Sequence, residues 1–182
     1  MSIFTTDGLF GVPLKVASTY AFLFVLFGSA LERCRGSEFF FDLASALTGK
    51  TAGGPAKIAV ISSGLYGTIS GSPTSDVVTT GAITIPIMKR LGYKASFAGG
   101  VEVAASTGGS LLPPVMGAAA FIMAEYTGIP YRDIALAAII PAILFYLPIY
   151  LQVHLRAVKT GLKGLRPDEI PGLRKTLSNG WL

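Results

Sequence analysis

The sequence predicts an all-α integral membrane protein made of spanning helices, a re-entrant helical hairpin and a broken helix. Three observations carry this. Of the 182 residues, 51% are apolar and only 14% are charged, where a soluble domain carries about 25% charged residues. The apolar residues come in uncharged runs, Val16–Leu31 and Leu136–Val153, and about 20 such residues at roughly 1.5 Å each span a bilayer core. Two further apolar stretches are interrupted by helix breakers, Pro73 in one and Pro113-Pro114 in the other, because proline removes a donor and clashes one turn back.

The first element is a helix over 14–31. In the segment 37–48, Phe39, Phe40, Leu43, Ala44 and Leu47 fall at helical spacing opposite Glu38 and Asp42. That is the pattern of an amphipathic helix lying at the interface, with Ser37 as its cap and Gly49 as its stop. A re-entrant hairpin over 55–90 follows from length and charge. Ile58–Ile69 and Val77–Met88 are each too short to cross a bilayer alone, and the polar turn Ser70–Asp76 separates them. Lys50 and Lys57 precede the first arm, and Lys89, Arg90 and Lys94 follow the second. Both ends therefore belong on the cytoplasmic side. Irregular backbone at the tip then requires surrounding protein or a cavity.

The broken helix covers 96–126, interrupted at Thr107–Pro114, and Gly128 and Pro130 end it. A helix over 134–155 returns to the basic side, kinked at Pro141 and Pro148. The scheme places all of the 15 basic residues except Lys15 and Arg132 on one side. Residues 1–160 form the membrane region, and 161–182 form a cytoplasmic tail or linker.

Several function classes are disfavoured. The net charge of +5 comes from residues at the ends of apolar runs, with no basic stripe interleaved with aromatics, so nucleic acid is not an expected partner. Gly49-Lys50-Thr51 lacks the upstream glycine of a phosphate loop. The single histidine, His154, cannot form a zinc pair and lies far from the serines, so no enzyme chemistry is expected. One cysteine, Cys34, excludes an intrachain disulfide. The first residues have no basic start and no continuous apolar core, so no signal peptide is read there. The chain is instead read as a piece of a longer membrane protein.

Half-helix ends and unwound backbone at mid-membrane are where transporters hold substrates and ions. Helix N-termini favour anions, while carbonyl and side-chain oxygens favour sodium. The candidate substrate-binding positions are Ser70, Ser72, Thr74 and Ser75 at the tip, with Ser106, Pro113 and Pro114 at the break. The candidate sodium ligands are Gly71, Ser72, Asp76, Thr107, Gly108 and Gly109. Small residues also serve close helix packing, and Gly67-x-x-x-Gly71 has that spacing. Ionisable residues inside a membrane are usually functional. Asp76 either caps the second arm or holds a cation. Glu102 either bonds a neighbouring helix or takes part in ion binding. No arginine lies in the tip or the break to clamp a carboxylate.

At these loops the chain resembles a known family. Gly67-Thr68-Ile69-Ser70-Gly71-Ser72 and Val77-Val78-Thr79-Thr80-Gly81 resemble the large permease subunit of TRAP (tripartite ATP-independent periplasmic) transporters. So do Phe97-Ala98-Gly99-Gly100-Val101-Glu102, Ala105-Ser106-Thr107-Gly108-Gly109, and the run from Pro113 to Glu125. The resemblance runs from about Phe4 to Gly164 and looks closest to the fused TAXI-type permeases. It implies an elevator-type transporter with two inverted repeats, each with a hairpin and a broken helix, of which this chain covers about one. It also implies import of small organic anions, usually carboxylates, coupled to Na+ or H+, across a bacterial or archaeal inner membrane. The implied partners are a periplasmic substrate-binding protein, the second repeat and a small membrane subunit, and no resident cofactor is implied. By position, Ser70–Asp76 match the family's hairpin tip and Ser106–Pro114 its helix break. Pro73-Thr74-Ser75-Asp76 departs from the Ala- and Asn-rich stretch of many relatives. A second reading is a non-transporting membrane scaffold or assembly partner of a permease.

Overall fold

Apolar residues with few β-branched runs and no alternating pattern leave helix as the means of satisfying backbone polar groups away from water. Every regular element among the described residues is helical. The computed structural model describes residues 8, 10–34, 36–162, 164–166, 169–172 and 176. Helix α1 (Val12–Val16) passes through a π-helical turn (Ala17–Ala21) into α2 (Phe22–Arg33). Helix α3 covers Gly36–Thr48, α4 Gly54–Ser70, α5 Pro73–Thr79 and α6 Gly81–Arg90. Helix α7 covers Ala95–Gly109, α8 Ala118–Thr127 and α9 Tyr131–Thr160.

Among the described residues, two segments are long and apolar enough to cross a membrane, Val12–Ala30 and the 30 residues of α9. The latter is about 45 Å long at helical rise and contains Pro141 and Pro148. Both segments are mostly exposed on this chain. Phe22, Leu23 and Leu26 point outward from one, and Ile140, Leu144 and Leu155 from the other.

The centre is α4 against α7, with α5 and α6 folding back along α4. Small residues allow this approach. Ala56, Ala59, Val60, Ala98, Val101 and Ala105 form one buried cluster with Met88 and Val153. Helix α3 docks on α4 through buried Ala44, Ser45 and Thr48, while Leu47 is exposed. Its packed face is thus its small-residue face. At the other end α8 meets the first helix. Phe121 stacks between Tyr20, Phe24 and Tyr131, and Lys15 forms an ion pair with Glu125.

Of the segment 161–182, the described residues fold back on the α3–α4 corner. The Leu165 amide donates to the Gly49 carbonyl at 2.9 Å, and Arg90 pairs with Glu169 at 3.0 Å.

Candidate functional site at the hairpin tip and helix break

The tip is tighter than its polar sequence suggests. Only Gly71 and Ser72 are non-helical between α4 and α5. Gly71 ends α4 in the left-handed region (φ 58°), where a Cβ is strained. Pro73 then opens α5 at a position that needs no amide donor. Thr74, Ser75 and Asp76 consequently sit in the first turn of α5 rather than in a loop. Thr74 and Ser75 are exposed and Asp76 is fully buried. The Asp76 side chain does not cap the helix, because Ser72 occupies that position. Its Oδ1 accepts from the Ser70 hydroxyl, and its Oδ2 has no hydrogen-bond partner among the described residues.

The break also differs from its sequence outline. Thr107, Gly108 and Gly109 are the last turn of α7, and the irregular stretch is Ser110–Gly117. The Pro113–Pro114 peptide is cis. This stretch is seated on the tip. The Val115 amide donates to the Thr68 carbonyl at 3.1 Å. A Cβ on Gly71 would lie 2.0 Å from the Met116 carbonyl oxygen. Just below, a Cβ on Gly67 would lie 2.4 Å from the Gly109 Cα and 3.0 Å from Asp76 Oδ2. The glycines therefore bring the two interruptions together, and the free carboxylate oxygen sits at their contact.

The positions singled out from the sequence separate into three groups. Ser70, Gly71, Ser72, Asp76 and Gly109 share the contact just described. Thr74, Ser75 and Pro114 are exposed beside it, with Pro113 half-buried. Three others turn elsewhere. Thr107 is exposed and donates to the Val103 carbonyl at 2.7 Å. Gly108 packs on α9, where a Cβ would meet Phe145 and Tyr146 at 2.7 Å. Ser106 is buried and points to Glu102 at 3.4 Å.

Glu102 organises a second cluster, further along the hairpin from the tip. It is fully buried. Its Oε1 accepts from Ser63 on α4 at 2.7 Å and lies 2.5 Å from the Thr80 hydroxyl oxygen, and its Oε2 accepts from Thr84 on α6 at 2.5 Å. Ser63 and Thr80 also lie 2.9 Å apart. Reading the sequence missed Ser63, Thr80 and Thr84 as partners. A signal was available, since Thr80 and Thr84, like Glu102 and Ser106, are spaced to share a helix face.

Comparison with known proteins decides the family. Over residues 2–182 the sequence matches the tripartite ATP-independent periplasmic transporter DctM component. The chain belongs to this family. It is a TRAP transporter permease chain and a membrane protein. A C4-dicarboxylate TRAP transporter large permease protein of Pseudomonas aeruginosa is 26% identical over 99% of this chain and 42% of its own length. One of the same description from Vibrio cholerae is 31% identical over 74% of this chain and 28% of its own length. The sialic acid TRAP transporter large permease protein of V. cholerae is 28% identical over 84% of this chain and 36% of its own length. This DctM-family chain thus spans less than half the length of these relatives.

Proposed function

We propose that this chain supplies one half of the transport domain of an ion-coupled permease that imports small organic anions. The observation behind it is the contact between the two interruptions, with the unpartnered Asp76 Oδ2 buried there. A buried carboxylate oxygen without a donor costs free energy unless something else satisfies it. A hard cation is bound by oxygens. In this reading Na+ is a cargo ion, held by Asp76 and Ser70 with backbone of Gly71, Ser72 and Gly109. The organic anion sits on the exposed side, at Ser72, Thr74, Ser75 and Pro114. The named cargoes of relatives, a C4-dicarboxylate and sialic acid, support carboxylates as the class.

The rest of the proposal concerns the assembly. The α4–α6 hairpin is re-entrant, and the hairpin and the α7–α8 pair move together as an elevator against a scaffold. A second repeat and a small membrane subunit complete the permease, a periplasmic binding protein delivers the anion, and the assembly sits in the inner membrane. The loop motifs favour the fused TAXI-type subgroup.

The test is uptake of labelled C4-dicarboxylate and sialic acid into proteoliposomes holding the complete permease with its binding protein. Gly71→Leu abolishes uptake, and Asp76→Asn weakens its dependence on sodium at least tenfold. Uptake indifferent to both substitutions would leave this chain a scaffold rather than part of the transport path.

A further inference from the structure

The Glu102 cluster has more close oxygen contacts than it has hydroxyl protons. Four contacts meet at Ser63 and Thr80: Ser63 to Glu102 Oε1 at 2.7 Å, Ser63 to Thr80 at 2.9 Å, Thr80 to Glu102 Oε1 at 2.5 Å and Thr80 to the Asp76 carbonyl at 2.7 Å. Each hydroxyl donates one proton, and an ionised carboxylate donates none. With Glu102 ionised, two of the four contacts hold no proton. At least one of these then brings two oxygens well inside about 3 Å, a separation that suits an O–H···O bond and not two facing lone pairs. A proton on Oε1 resolves this. Glu102 donates to Thr80, Thr80 donates to the Asp76 carbonyl, Ser63 donates to Glu102 and Thr84 donates to Oε2. The contact left without a proton is the longest, Ser63 to Thr80.

Charge points the same way. An unpaired carboxylate buried in an apolar bundle is costly, and no basic side chain bonds to Glu102 among the described residues. Lys57 on α4 donates to Thr51 and lies over the Tyr150 ring. Arg90 on α6 pairs with Glu169, and Arg156 on α9 lies over Phe97. Of the remaining titratable groups on the packed elements, Asp76 on α5 is itself a carboxyl, and its backbone carbonyl is bonded to Thr80. The Tyr146 phenol on α9 donates to the Ala105 carbonyl at 2.7 Å.

We propose that Glu102, with the hydroxyls of Ser63, Thr80 and Thr84, is a proton-binding site that ties both arms of the hairpin to the first half of the broken helix. The occupied site bonds the arms to α7, and loss of the proton loosens that bonding. The proton becomes a cargo ion only where the transport reading holds, and the protonation itself is independent of it.

Infrared spectroscopy of the purified full chain in detergent tests this without any transport. The expected result at neutral pH is a carbonyl stretch of a protonated carboxyl that disappears in Glu102→Gln and remains in Asp76→Asn. Thr84→Val shifts the band, because Oε2 loses its donor. The Thr84→Val shift also decides the matter if Glu102→Gln fails to fold. Absence of the band from the unsubstituted protein, its survival in Glu102→Gln, or an unshifted band in Thr84→Val would overturn the proposal. If the chain passes this test and the completed permease shows no uptake, the transport reading fails and the proton site stands.

Discussion

The two buried carboxyl side chains of the central bundle have opposite surroundings. Glu102 has both oxygens bonded to hydroxyls from α4, from α6 and from Thr80 between α5 and α6. Asp76, four residues before Thr80, has one oxygen bonded to Ser70 and the other without a partner. The contrast separates two uses of a buried carboxyl. One is saturated and ties elements together, and the other is left open at the contact between tip and break. Substitutions on either side should therefore divide into those that disturb folding and those that disturb ion response.

The largest expected effect is at the glycine contact beneath Asp76. Gly67→Ala puts a methyl 2.4 Å from the Gly109 backbone. With backbone on both sides it should destabilise by about 4 kcal/mol or more, read as loss of the thermal unfolding transition in detergent. Glu102→Leu comes next. Thr80 keeps the Asp76 carbonyl and Ser63 can turn to Thr80, but Thr84 loses its acceptor. A cost of roughly 2–3 kcal/mol is expected by the same measurement. Tyr146→Phe removes the bond to the Ala105 carbonyl and should cost about 1 kcal/mol. Asp76→Asn keeps an acceptor for Ser70 and should change stability by less than about 1 kcal/mol. Its effect belongs on sodium dependence, and a stability loss as large as that of Glu102→Leu would erase the distinction drawn above. Smallest is Gly99→Ala, where the added methyl meets nothing within 4 Å. It should be neutral or stabilising by up to about 1 kcal/mol.

Legibility in the sequence followed the range of the forces involved. Pro73 and Pro113-Pro114 announced interruptions, because proline acts on its own backbone and one turn back. Their extents were not legible. The hairpin turn shrank to Gly71-Ser72, since Pro73 starts a helix as readily as it stops one. The last turn of α7 carried on through Thr107–Gly109 before the break. Grouping of the site was legible only in part. Ser70, Gly71, Ser72, Asp76 and Gly109 come together, whereas Ser106 and Gly108 lie on the same helix and face Glu102 and α9 instead. One turn of α7 contains all three directions, so composition alone could not assign them.

By itself, the sequence determined that the chain is helical and apolar, where its helices are interrupted, and that two carboxyls lie within apolar stretches. These depend on residue type and on neighbours within about one helical turn. Only the tertiary structure decided that the interruptions meet, that Gly67 and Gly109 let them meet, and that Ser63, Thr80 and Thr84 close around Glu102 while Asp76 keeps an oxygen free. Those outcomes depend on the rotation of α4 and α7 about their axes and on which helices pack beside them. Contacts between residues far apart in the chain set both.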